Sequence, residues 1–128
     1  MNVVDSCGWM EYFADGPNAG FFAPSIEDIE HGIVPSICIA EVVRSTFRQR
    51  GEEKAAEAAA QLRRRMVVPL DAELATAAAE VGIETGLPMA DSIILATARA
   101  HDATLWTQDA HFKDIEGVRY IEKRKKKA

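Results

Sequence analysis

The sequence predicts an α/β domain whose short parallel strands form one sheet covered by helices on both faces. Three observations lead there. Brief apolar runs alternate with longer helix-forming stretches along the whole chain. No internal repeat, Gly/Ser linker or long low-complexity segment divides it. Its 128 residues fit one domain, enough to bury a real core, and 48% hydrophobic with 27% charged residues is the balance of an ordinary globular protein.

The elements follow in order. Asn2-Val3-Val4 reads as a first strand ending at Asp5. Trp9, Met10, Tyr12 and Phe13 then recur at helical spacing until Asp15-Gly16-Pro17-Asn18 breaks the pattern. Ser25 is a good N-cap and predicts a second helix to His31, with Gly32 as its stop. Ile33-Val34 is a short second strand, which Pro35 confines to its end. Ser36 opens an apolar helix from Ile37 to about Arg50, closed by Gly51, and Ala-rich Glu52 to Arg65 is helical by propensity. Met66-Val67-Val68-Pro69 is the third strand. Asp71 caps a helix that ends at Thr85-Gly86, and another runs from about Met89 to His101. Thr104-Leu105-Trp106-Thr107 is the fourth strand and Val118-Arg119-Tyr120-Ile121 a short fifth. The domain is expected to occupy residues 1–121, and the basic tail 122–128 to fray into solvent as a solubilising end, with a grip on RNA as its alternative.

Several function classes are disfavoured at once. No apolar run approaches the ~20 residues of a membrane helix. The start Met1-Asn2-Val3-Val4-Asp5 carries no basic leader, so a cytoplasmic protein is expected. Cys7 and Cys38 belong to no CxxC pair and read as small buried apolar residues. His31, His101 and His111 show no zinc spacing. Phosphate-binding, dinucleotide-binding and nucleophile-elbow motifs are all missing.

Charge is unevenly spread. Ile121 to Ala128 hold five basic groups and one acidic group out of totals of 15 and 20. Residues 1–120 therefore keep ten basic against nineteen acidic groups, a net charge of −9. Such a body repels a polyanion unless bound cations neutralise some carboxylates or basic groups are placed locally.

The chemistry points to carboxylates in apolar settings. Asp5 directly follows a strand, where it can cap the next helix or face a ligand beyond the strand end. Glu41 lies in Ile37-Cys38-Ile39-Ala40-Glu41-Val42-Val43, where an ionised group needs a metal or a basic partner such as Arg44. Asp91 stands in the first turn of a strongly apolar helix, and Asp109 follows the fourth strand. Each alone reads equally well as a cap. Four at the ends of core elements suggest an oxygen-only site for a hard cation such as Mg²⁺.

In these segments the chain resembles the PIN-domain family, and in particular VapC-type toxins of bacterial toxin–antitoxin modules. The likeness rests on Val4-Asp5-Ser6, Pro35-Ser36-Ile37 leading to Ala40-Glu41-Val42, Leu87-Pro88-Met89-Ala90-Asp91-Ser92 with its apolar sequel, and Trp106-Thr107-Gln108-Asp109-Ala110-His111-Phe112. It implies a three-layer α/β/α domain with a central parallel sheet of four to five strands. It also implies a Mg²⁺-dependent endoribonuclease, with Mn²⁺ as an alternative ion. Asp5, Glu41, Asp91 and Asp109 take the catalytic, metal-holding positions, and Ser6 and Thr107 match hydroxyls that orient them. One departure is His111, where such chains often carry a further acid; it is either a donor to phosphate or a surface imidazole.

The same resemblance implies an RNA substrate, a homodimer and a cognate antitoxin, with no membrane association. Trp9, Tyr12, Phe13, Phe21, Phe22 and Phe47 are expected either to form a groove for the antitoxin or to pack the core. Arg44, Arg48 and Arg50, with Arg63 to Arg65, are candidate RNA contacts or a solvated helix face. Alternatives are a PIN-type nuclease of RNA maturation without antitoxin, an inactive PIN-like binding module, and an acidic phosphate-binding regulator.

Overall fold

A computed structural model of the protein describes residues 1–125. Its sheet has five strands, all parallel, in the order β3-β2-β1-β4-β5. They are β1 (Asn2–Val4), β2 (Gly32–Pro35), β3 (Met66–Val68), β4 (Thr104–Thr107) and β5 (Val118–Tyr120). The helices are α1 (Ser6–Phe13), α2 (Ala19–Glu27), α3 (Ser36–Arg50), α4 (Glu52–Leu62), α5 (Ala72–Thr85) and α6 (Met89–Ala100). Val3 and Val4 point to opposite faces and are both buried, so helices cover the sheet on each side in three layers.

The chain lays β1, β2 and β3 outward in one direction, then returns to place β4 and β5 on the other side of β1. Strand order therefore switches at β1, and the crevice beyond the carboxyl ends of β1 and β4 is where such sheets hold ligands. In α6, seven consecutive residues from Ser92 to Ala98 are buried. A helix enclosed on all sides fixes whatever its first turn carries. On the opposite flank, α1 sits tightly against β1 and α2: a Cβ on Gly8 would lie 2.7 Å from both the Phe22 ring and a Val4 methyl.

The second helix differs from expectation. It begins at Ala19, immediately after the Asp15–Asn18 turn, and Pro24 lies inside it. Ser25 is a buried helix residue rather than a cap, and Ile29–His31 form a separate 3₁₀ turn. An interior proline costs ~3 kcal/mol. Phe22 and Ile26, one turn apart and at most 2% exposed, each return ~1.5–3 kcal/mol on burial, which offsets it.

The fourth helix also stops early, at Leu62. Arg65 leaves it and turns inward, 8% exposed, at the amino edge of the sheet. Its guanidinium donates to the backbone carbonyls of Gln61 and Ile26 and stacks on Trp9, 4.8 Å from the ring centre. The stem runs across Gly32, where a Cβ would sit 2.8 Å from Arg65 Cγ. Arg65 is thus a structural clamp and unavailable to RNA.

Candidate functional site

The carboxyl edge of β1 and β4 gathers the acids. Asp5 continues the β1–β4 ladder, its N–H donating to Trp106 O at 3.0 Å, and caps α1 through Oδ1, which accepts from Ser6 N at 2.8 Å. Capping and site placement are therefore one arrangement. Its other oxygen accepts from the Thr107 hydroxyl at 2.7 Å and from the Cys7 thiol at 3.4 Å. Thr107 Oγ1 in turn accepts from Asp109 N at 3.0 Å, so one fully buried hydroxyl ties two acidic segments together. Ser6 donates to Glu41 Oε1 at 2.7 Å and links α1 to α3.

Glu41 is half-buried, not enclosed, because Ala40 beside it is exposed; among the described residues its bond comes from Ser6 and not from Arg44. Asp91 reaches the edge from the first turn of α6. Asp109 caps the 3₁₀ turn Ala110–Phe112, accepting from His111 N at 2.9 Å. His111 Nδ1 lies 3.1 Å from both Asp91 Oδ2 and Asp109 Oδ1.

The four carboxylates sense one another. Burial pushes the Asp5 carboxyl up to about 6; its hydroxyl and thiol donors pull the other way, and the charge of Asp91 adds to the rise. Burial also raises Asp91, with Asp109 and Glu41 adding repulsion against the opposing pull of His111. Acids from β1, α3, α6 and the segment after β4 thus share one electrostatic neighbourhood. Ligand atoms of Asp91, Asp109 and His111 all lie within 4.8 Å of each other. This donor set fits a hard divalent cation: carboxylate oxygens predominate, and a cation is the charge that crowded acids lack.

Two neighbours, Cys7 and His111, stand closer to the acids than their sequence readings, a buried apolar residue and a phosphate donor or surface imidazole, imply. Cys7 sits between Asp5 and Thr107, but burial, then the charge of Asp5, pushes its thiol up to about 12, so it donates a hydrogen bond and is no nucleophile. Its position two residues after Asp5 was the available signal. His111 is exposed yet bridges two acids, a role its offset from Asp109 hinted at.

Beyond the acids, the expected aromatic groove divides. Trp9 and Phe22 are core, and Phe21 packs edge-on against Trp106. Tyr12 and Phe13, with Met10, line a cleft of ≈ 530 Å³ between α1 and the α3–α4 pair, joined by Arg50 and Lys54. Phe47, 54% exposed, lies in a separate shallow depression with Ile39, Val43, Arg44, Arg48 and Arg63. Arg44 and Arg48 follow Glu41 at helical spacing on one face of α3, whereas Arg50 falls on another. Among the described residues, no helix is long and apolar enough to cross a membrane.

Comparison with known proteins supports the same architecture. The family model of the PIN domain matches residues 3–118. A toxin-antitoxin complex from Klebsiella pneumoniae superposes with a TM-score of 0.78 at 22% identity, over 93% of this chain and 96% of that one. VapC20 of Mycobacterium tuberculosis, a sarcin-ricin loop cleaving toxin, gives 0.74 at 18% identity, over 91% and 95%. VapBC2 from Rickettsia felis, bound to a DNA fragment from its promoter, gives 0.71 at 17% identity, over 94% and 97%. No curated protein sequence matches.

Proposed function

The chain belongs to the PIN-domain family, and from that premise we propose that it is a Mg²⁺-dependent endoribonuclease, with Mn²⁺ able to substitute, acting as the toxin of a VapBC-type pair in the cytoplasm. The observation behind the reading is that ligand atoms of Asp91, Asp109 and His111 lie within 4.8 Å of one another at the edge where strand order switches, beside Asp5, which Thr107 ties to the Asp109 backbone.

In this reading the four acids hold the ion, which when bound supplies counter-charge for a phosphate and an acidified water. The chain's own part is positioning. Thr107 fixes the Asp5 carboxylate and the backbone of Asp109 together, so neither can turn away independently. Ser6 aims Glu41 inward from the half-exposed face of α3. His111 offers an N–H that a phosphate oxygen can take over from Asp91 and Asp109. Specificity for RNA comes from shape and 2′-hydroxyl contacts outside the acids.

The partner in this reading is an antitoxin segment whose apolar face seats in the cleft of Met10, Tyr12 and Phe13, at whose rim Arg50 offers a cation while Lys54 is paired with Glu57. A homodimer belongs to the same reading, with Phe47 in an apolar face open to a second copy. The resemblance to a structure described as a toxin-antitoxin complex and to one described as a sarcin-ricin loop cleaving toxin supports the toxin over a maturation nuclease or an inactive module.

The test is cleavage of total cellular RNA by the purified protein, with 5′ and 3′ ends mapped. Cutting with Mg²⁺ or Mn²⁺, its loss in EDTA, and 5′-phosphate with 3′-hydroxyl ends are expected. Metal-independent cutting, or none with either ion, overturns the reading. Expression alone should arrest growth, and co-expression of a small neighbouring gene should relieve it.

A further inference from the structure

The tail leaves the fold beside the acids. Beyond β5, Ile121 N donates to Thr107 O at 3.1 Å, extending the ladder past the last strand. Asn18, 2% exposed, donates from Nδ2 to both Gln108 Oε1 at 2.9 Å and Glu122 O at 3.1 Å. Gln108, itself buried, links Thr107 to Asp109 in the chain. The backbone is therefore held as far as Glu122 at the carboxyl edge of β4, directly before the basic run starts.

Lys123, Arg124 and Lys125 follow, all exposed, and none forms an ion pair with another described residue. Adjacent strands lie ~5 Å apart, so β1 is ~10 Å from β5. Three extended residues span ~10 Å, before the length of their side chains is added. The run can thus lie alongside the acid site. The net −9 of residues 1–120 makes this placement consequential, because a polyanion meets repulsion at that edge unless a local cationic group offsets it.

We propose that Lys123, Arg124 and Lys125 form a phosphate-backbone contact that holds single-stranded RNA across the carboxyl edge of the sheet, next to the acidic site. This rests on the ribonuclease reading and extends it by assigning where affinity for the polyanion resides. The contact is electrostatic and independent of base sequence. It fixes the strand's approach from the β5 side and leaves the chemistry to the acids.

The experiment compares the full chain with a K123Q/R124Q/K125Q variant, binding labelled oligoadenylate across a salt series with Ca²⁺ replacing Mg²⁺. Neutralising three contacts should reduce the slope of log affinity against log salt by ~2 for a single strand. With Mg²⁺, KM for cellular RNA should rise on the order of tenfold at physiological salt while kcat holds. An unchanged slope overturns the proposal, as does faster cleavage by the variant, which would make the tail a competitor for the acids. Polyglutamate binding that falls in step with the RNA would reassign the run to an acidic protein partner, and also overturns it. If the unaltered chain cuts no RNA with metal, the ribonuclease reading fails by itself, and the salt slope still decides the tail.

Discussion

The two edges of the sheet each bury charge, and they do so in opposite ways. At the amino edge one cation, Arg65, is met by two backbone carbonyls and the face of Trp9. At the carboxyl edge Asp91 and Asp109 meet around His111, with Asp5 and Glu41 on the same edge, and hydroxyl, thiol, imidazole and backbone donors steady acids that no cation of the chain neutralises among the described residues. The first arrangement is held by the chain's own carbonyls and an aromatic face, with Arg65 Nε left without a partner among the described residues, and it serves packing. The second leaves a charge imbalance that only something outside the chain can correct. Burial of a charge therefore does not by itself speak for function; crowding of like charges at one edge is the stronger sign.

The sharpest way to break the comparison is Asp5→Asn. The amide keeps the volume and can still cap α1, but removes one anion from the cluster. RNA cleavage should fall at least ~10³-fold, consistent with removing a metal ligand. The fold should survive, and melting without metal at neutral pH should change little, because losing a desolvated carboxylate is opposed by losing the acceptor of the buried Thr107 hydroxyl. Retained cleavage would contradict the contrast.

At the other edge Arg65→Met should do the reverse. Two helix-terminal carbonyls lose their donors, each costing ~1–3 kcal/mol, and the stacking on Trp9 adds ~0.5–2 kcal/mol. A loss of ~3–5 kcal/mol in denaturant unfolding is expected, with kcat per folded molecule unchanged. A stable variant with impaired cleavage would transfer Arg65 to the functional side.

Acid titration separates the edges without mutation. Asp5 is raised from 3.8 to about 6 by burial, so the folded protein binds its proton more tightly than the unfolded chain. The associated stability is fully present below pH 3.8 and disappears as pH rises through about 6. Without metal, this group alone should cost ~3 kcal/mol at most between acid and neutral pH, at ~1.4 kcal/mol per pH unit. Adding Mn²⁺ at pH 7.5 should restore stability in the parent and not in Asp5→Asn. If Mn²⁺ raises the melting temperature of both equally, Asp5 is no ligand.

The acid edge was far more legible in the sequence than the clamp. Asp5 and Asp109 follow strands, Glu41 interrupts an apolar helix and Asp91 opens one, and an acid in such a setting is conspicuous in one dimension. Arg65 reads in the sequence as the last residue of an Ala-rich helix, because nothing local reveals that its partners are carbonyls from two separate helices. Ser25 displaces α2 in the sequence reading for a related reason: its capping propensity is visible locally, whereas the burial of Phe22 and Ile26 that carries the helix through Pro24 is a tertiary fact. His111 and Cys7 belong to the site through three-dimensional convergence, and only their offsets from Asp109 and Asp5 pointed there.

The finest distinction is between an acid and the donor that aims it. Ser6 bonds Glu41 at 2.7 Å, but Glu41 is half-exposed and can regain water when the hydroxyl is lost. Ser6→Ala should therefore leave stability within ~0.5 kcal/mol, as for a partly solvated hydrogen bond. Cleavage should fall only about tenfold, equivalent to ~1.4 kcal/mol of lost positioning, with the metal requirement shifted to higher concentration. Ser6→Thr, which keeps the hydroxyl, should recover most of it. If Ser6→Ala is destabilised by more than ~1 kcal/mol with cleavage intact, its bond belongs with the Arg65 clamp, as packing between α1 and α3.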